Sequence, residues 1–76
     1  MPSHKLLGVV SRGVNYRDND RILTIVTRDR GRITATARGS RKPQSKLLTA
    51  ASAFCYGEYV LREWENRFYV SQCTVR

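Results

Sequence analysis

Arg21-Ile22-Leu23-Thr24-Ile25-Val26-Thr27 runs through Arg28-Asp29-Arg30-Gly31 into Arg32-Ile33-Thr34-Ala35-Thr36-Ala37-Arg38. The last of these runs alternates cleanly, with Ile33, Ala35 and Ala37 on one side and Arg32, Thr34, Thr36 and Arg38 on the other. A period of two is the signature of a half-buried strand. The first run is β-branched and apolar on both faces, as a central strand tends to be. Asp29-Arg30-Gly31 closes the pair into a hairpin, and Gly31 suits the left-handed position of a three-residue loop.

On the N-terminal side, Lys5 to Tyr16 reads as a long strand interrupted by Gly8 and Gly13, followed by the polar turn Arg17-Asp18-Asn19-Asp20. Glycines inside a strand mark bulges or bends, which a tightly curved barrel needs. On the C-terminal side, Gly39 to Pro43 form a basic loop, and Gln44 to Ala51 are expected to make a short helix of one or two turns. Phe54 to Trp64 is a fourth strand kinked at Gly57, Glu65-Asn66-Arg67 a turn, and Phe68 to Val75 a fifth strand. The expected fold is therefore all-β, a five-stranded OB-fold Greek-key barrel with a short helix between strands 3 and 4. An SH3-like barrel is the rival; the helical connection favours the OB reading.

At 76 residues and +8, with 14 Lys+Arg against 6 Asp+Glu, the chain has room for one small barrel domain spanning 1–76. Its 41% apolar content separates it from a disordered basic tail. The longest apolar stretch, Leu6 to Val10, is far short of the roughly 20 residues of a membrane span, so no membrane association is expected. Cys73-Thr74-Val75-Arg76 still reads as strand, which leads us to expect the first domain of something longer.

Catalytic constellations find no support. His4 is the sole histidine and is expected at a loose N-terminus, while Asp18 and Asp20 suit hydrogen bonds to turn backbone better than acid–base work. Gly39-Ser40-Arg41-Lys42 lacks the second glycine of a phosphate loop. Cys55 and Cys73 have neither the spacing nor the histidine partners of a zinc site, so neither cofactor nor metal is expected. A strand turn near Asn66 puts Cys73 opposite Tyr59 and Cys55 opposite the chain end; two reduced thiols are the better reading, a disulfide the lesser one.

Charge is the informative feature. Arg28, Arg30, Arg32, Arg38, Arg41, Lys42 and Lys46 stand against Asp29 alone within nineteen residues. Such crowding weakens the folded state unless a polyanion relieves it. Arginine outnumbers lysine 11 to 3, and its planar fork suits phosphate oxygens and base stacking. A charge run can also be a mere solubilising face. Here it spans the outward side of one strand and the adjoining loop, the strand 2–3 face by which OB-folds hold single strands. We therefore expect nucleic-acid contact at Arg30, Arg32, Arg38, Arg41, Lys42 and Lys46, with Tyr16 as the stacking aromatic. Phe54, Tyr56, Tyr59, Phe68 and Tyr69 are expected in core or sheet-face packing, and Trp64, flanked by Glu63 and Glu65, as an exposed protein contact or hairpin staple. An RNA-binding barrel and a protein-docking module with a basic face are the alternatives.

Leu7-Gly8-Val9-Val10, then Tyr16-Arg17-Asp18-Asn19-Asp20-Arg21-Ile22-Leu23-Thr24, then Ala37-Arg38-Gly39-Ser40-Arg41-Lys42 and Ser45-Lys46, resemble in order and spacing the N-terminal domain of the bacterial recombination mediator RecO family. The likeness covers essentially the whole chain; Asp18 stands where that family more often has Glu. The resemblance implies an OB-fold that binds single- and double-stranded DNA; the residues themselves lead us to expect a non-enzymatic domain whose binding is mostly electrostatic, with little base specificity. The resemblance also implies strand annealing, help in loading RecA during recombinational repair, and a complex with RecR. It further implies contact with single-stranded-DNA-binding protein through a region beyond residue 76, and a bacterial cytoplasmic, nucleoid-associated location. Arg38, Arg41 and Lys42 are the motif residues to which it assigns DNA contact.

Overall fold

A computed structural model describes residues 2–76. Five strands form in chain order: β1 (Ser3–Tyr16), β2 (Asp20–Thr27), β3 (Gly31–Ala37), β4 (Tyr56–Trp64) and β5 (Arg67–Val75). They close in the order β1-β2-β3-β5-β4, an all-β barrel consistent with the expected OB-fold. All neighbours are antiparallel except β3 and β5, which run parallel and meet at Ala35↔Phe68 and Thr36↔Tyr69 alone. This seam is the narrowest junction in the wall.

Alternation decides what lies inside. Leu6 and Val10 of β1, Leu23 and Ile25 of β2, Ala35 and Ala37 of β3, Tyr59 and Leu61 of β4, and Val70 of β5 fill the interior. On β2 the opposite face carries Ile22, Thr24 and an exposed Val26, so this strand is buried on one side only, not on both. Gly31 has φ +66, the left-handed turn position expected of it. The bulge in β1 falls between Val10 and Arg12, at Ser11, and reverses the inward parity beyond it. Gly8 and Gly57 instead face each other across β1 and β4, and each allows close backbone approach. A Cβ on Gly57 would stand 2.6 Å from Thr74 O, and one on Gly8 2.8 Å from Val26 O.

The helix expected over Gln44–Ala51 does not form. Residues 38–54 are a chain of tight turns, with three-residue bonds such as Ser45 N–H to Lys42 O and Ser52 N–H to Thr49 O. A single helical bond runs from Ala51 N–H to Leu47 O. Ser45 Oγ accepts the Leu47 N–H (3.0 Å) and Ser52 Oγ donates to Leu48 O (3.1 Å), local competition that short helices rarely survive. Tyr59 takes a further carbonyl, its hydroxyl donating to Ala50 O at 2.7 Å. The connection is thereby tied down, with Ala50, Ala51 and Ser40 buried among the core residues.

Two other expectations change. His4 is no loose terminus: it pairs with Leu61 in β1, meets Glu63 at 3.2 Å and packs edge-on against Phe68. Phe54 is 78% exposed at φ +65, because its N–H bonds to Val10 O while Cys55 O accepts the Val10 N–H. Backbone pairing there holds the residue and turns the ring outward. Cys73 does pair with Tyr59, because a bulge at Ser71 offsets the register set by the two-residue turn at Glu65-Asn66, and both cysteines are free.

Candidate nucleic-acid interface

The outer face of β2, β3 and β5 is bracketed by two loops. Arg17–Asn19 joins β1 to β2; Glu65-Asn66 joins β4 to β5 as a two-residue turn with φ +49 and +63. Between them lies a continuous depression. One hollow is lined by Tyr16, Ile22, Thr34, Thr36, Asn66, Arg67 and Phe68. It shares Tyr16, Thr36 and Arg67 with a second, which adds Arg17, Asp20, Arg38 and Tyr69. Beyond Arg17 and Arg38 the depression continues past Asp18, Asn19, Gly39 and Lys42. In the other direction Arg38 and Tyr69 lead on to Arg62 and Trp64. In the five-stranded barrel of this type, the strand 2–3 face with these two loops is where oligonucleotides and oligosaccharides bind.

The local chemistry follows from the strands. After the Ser11 bulge the even residues of β1 face outward, which sets Tyr16 on the rim, with the Arg17 guanidinium 5.1 Å from its ring centroid. Arg38 follows the outward Thr34 and Thr36 just past the end of β3. Asp20 is engaged structurally, accepting the Gly39 N–H at 2.7 Å and so joining the β1–β2 loop to the segment that carries Arg38 and Lys42. Arg41 braces the same loop: its N–H bonds to Asn19 O at 2.9 Å and its Nη1 donates to Asp18 O at 3.2 Å. Among the described residues, ion pairs are confined to His4–Glu63, Lys5–Glu58 and Arg28–Asp29. The cleft cations Arg17, Arg38, Arg62, Arg67 and Lys42 therefore have no carboxylate partner within salt-bridge distance among those residues.

The sequence-derived residues divide. Tyr16, Arg38 and Lys42 line the depression, and Arg41 lies against its loop. Arg32 shares the outward side of β3, paired with Val26 toward the hairpin end. Arg30 lies elsewhere, 5.5 Å from the Phe68 ring centroid and with Nη1 3.5 Å from His4 Nδ1, pinning the hairpin tip to the barrel. Lys46 is exposed in the connection and lines none of these hollows. Arg17, Arg62, Arg67, Trp64 and Tyr69 were not singled out as DNA contacts by the sequence, although strand parity alone puts Arg62 and Trp64 opposite the buried Tyr59 and Leu61, and Arg67 and Tyr69 opposite the buried Val70. Tyr69 and Phe68 line the cleft rather than only packing the sheet.

Residues 1–76 match the family model described as Recombination protein O N terminal. A protein named DNA repair protein RecO from Acetivibrio thermocellus is 38% identical over 71 residues, covering 93% of this chain and 28% of that protein. Its namesake from Clostridium perfringens is 36% identical over 69 residues, 91% of this chain and 28% of the relative. The one from Bacillus subtilis is 36% identical over 59 residues, 78% of this chain and 23% of the relative. The chain thus spans 28% or less of the length of these three curated relatives.

Proposed function

This chain belongs to the recombination protein O N-terminal family, and from that premise we propose that it is the DNA-binding barrel of a bacterial DNA repair and recombination protein. It holds single- and double-stranded DNA by the backbone, without base-sequence preference, and brings complementary strands together for annealing. The observation that carries this reading is the arginine-lined cleft between the β1–β2 and β4–β5 loops, where, among the described residues, cations outnumber the carboxylates Asp18 and Asp20 and none is in a salt bridge. Arg17, Arg38, Arg67 and Lys42 form the phosphate path, Arg32 extends it along β3, and Tyr16 offers a ring at its rim. Arg41 serves chiefly by holding the loop that carries Arg17. Annealing follows from the shallowness of the path: two neutralised strands can meet with their bases still free. The partnership with RecR, the loading of RecA, the contact with single-stranded-DNA-binding protein and the place at the cytoplasmic nucleoid belong to the proposal for the whole protein, of which this chain spans a part.

With about five phosphates engaged, log K for a single strand should fall with log salt at a slope of roughly −3 to −4. Replacing Arg17, Arg38 and Arg67 by Ala should flatten that slope by about 2 and weaken every sequence alike. A gel-shift series across salt concentrations checks both. A slope near zero would contradict the mechanism, and a loss confined to one sequence would mean base readout. A matched RNA competitor distinguishes the polymer, since an RNA reader exploits the 2′-hydroxyl and should prefer the RNA strand.

A further inference from the structure

The β4–β5 hairpin carries an arrangement that backbone binding does not require. Tyr59, Leu61 and Val70 point into the core, so Arg62 and Trp64 of β4 and Arg67 and Tyr69 of β5 all point out. The register pairs Arg62 with Tyr69 and Trp64 with Arg67. Each rung therefore sets a cation opposite an aromatic, and the order reverses from one rung to the next. With Arg38 from the end of β3, Arg62, Trp64 and Tyr69 enclose an open hollow of ≈ 440 Å³. Trp64 is 53% exposed, a large apolar ring left in water at the end of β4, next to the two-residue Glu65-Asn66 turn. Of the neighbouring acids, Glu63 lies on the opposite face of the strand, held by His4 at 3.2 Å.

We propose that this hollow receives an unpaired nucleobase of single-stranded DNA, so that the hairpin selects single strands beside the phosphate path; the proposal rests on the reading of the cleft as a DNA site. A flat aromatic ring and a planar guanidinium are both stacking surfaces for a base, and stacking is sequence-tolerant because every base has a π-face. A duplex offers this hollow only phosphates, its bases being stacked and paired. A single strand offers a free base beside each phosphate that the cleft arginines engage. The phosphate path then serves both forms, and Trp64 with Tyr69 adds affinity for one of them.

Trp64 is the only tryptophan, so tryptophan emission reports on this end of the hairpin, and an abasic strand separates base contact from phosphate contact. Three probes of equal length serve: an oligo-dT strand, an abasic strand with the same phosphates, and a blunt duplex. Oligo-dT should quench Trp64 emission and bind about tenfold more tightly than the abasic strand. Trp64→Ala should lower oligo-dT affinity several-fold while leaving duplex affinity and the salt slope unchanged, and Trp64→Phe should retain most of the wild-type value. Circular dichroism verifies that each variant is folded. Equal binding of oligo-dT and abasic strands, or equal losses for strand and duplex, overturns the base pocket while leaving the phosphate path standing. Absence of salt-dependent binding to any of the three overturns both.

Discussion

Tyr59 shows how one side chain can serve core and connection together. Its ring is fully buried in the barrel, and its hydroxyl holds the 38–54 segment through Ala50 O. Burial pushes that hydroxyl well above its ordinary 10.0, and burial, with the Cys55 thiol nearby, raises the Cys73 thiol above 9.0. Both groups hold their protons more tightly in the folded state. Once the pH exceeds the unfolded values, unfolding releases a proton and stability falls. The contribution of these two groups should therefore be constant below about pH 8.5 and be lost progressively above it, which thermal melts across the alkaline range check. Tyr59→Phe should lose about 1 kcal/mol at neutral pH, by leaving Ala50 O without its donor, and should show a shallower alkaline decline, the remainder belonging to Cys73. Equal alkaline slopes in the two proteins would dissociate the effect from Tyr59. At this scale the sequence was legible in part: a turn centred on Asn66 puts Tyr59 opposite Cys73, and the structure reaches the same pair by another route, a two-residue Glu65-Asn66 turn with Ser71 bulged out of the ladder. The sequence was less legible for Trp64. Flanking Glu63 and Glu65 dominate a linear reading, whereas the strand turns Glu63 to the opposite face.

Among the elements, the β4–β5 hairpin has the most consequential turn. Glu65 and Asn66 both adopt positive φ, the geometry of a type I′ loop whose twist matches that of paired strands. Asn tolerates the left-handed region, but Glu there costs roughly 1–2 kcal/mol. Glu65→Asn should therefore stabilise the chain by about 0.5–1 kcal/mol, a rise in Tm of a few degrees for a domain of this size. A lower Tm in a calorimetric scan would mean that Glu65 makes a compensating interaction. Strand positions were readable because alternation survives in β3, β4 and β5, with ends displaced by one or two residues. The helix over 44–51 was misread for a physical reason. Leu47, Leu48 and Ala50 are fair helix formers, but Ser45, Ser52 and the Tyr59 hydroxyl claim the backbone groups that a helix needs. Propensity is a local quantity, and here tertiary bonds outweigh it.

Taken as a whole, the molecule carries +8 with His4 neutral, and ion pairing is limited, among the described residues, to Lys5 and Arg28, His4 being hydrogen-bonded to Glu63. Self-repulsion of this size should make stability rise with salt, chiefly up to about 0.15 M, where the screening length falls to ~8 Å. DNA affinity should fall over the same range, so melting and binding titrations should move in opposite directions. A Tm insensitive to salt would mean that the unpaired cations are too far apart to matter. The basic run from Arg28 to Lys46 is contiguous in sequence, yet the barrel sends Arg30 to the β2–β3 tip and Lys46 to the connection while gathering Arg38 and Lys42 with Arg17 and Arg67. A count of charge along the chain finds some of the cleft's cations and not others, because barrel closure brings in Arg17 from the β1–β2 loop and Arg67 from β5. That closure rests on the parallel seam of Ala35 with Phe68 and Thr36 with Tyr69, and Thr36 and Tyr69 are also cleft residues. A polymer laid along the proposed path would therefore bridge the barrel's narrowest join, and loading it would also brace the wall at that point.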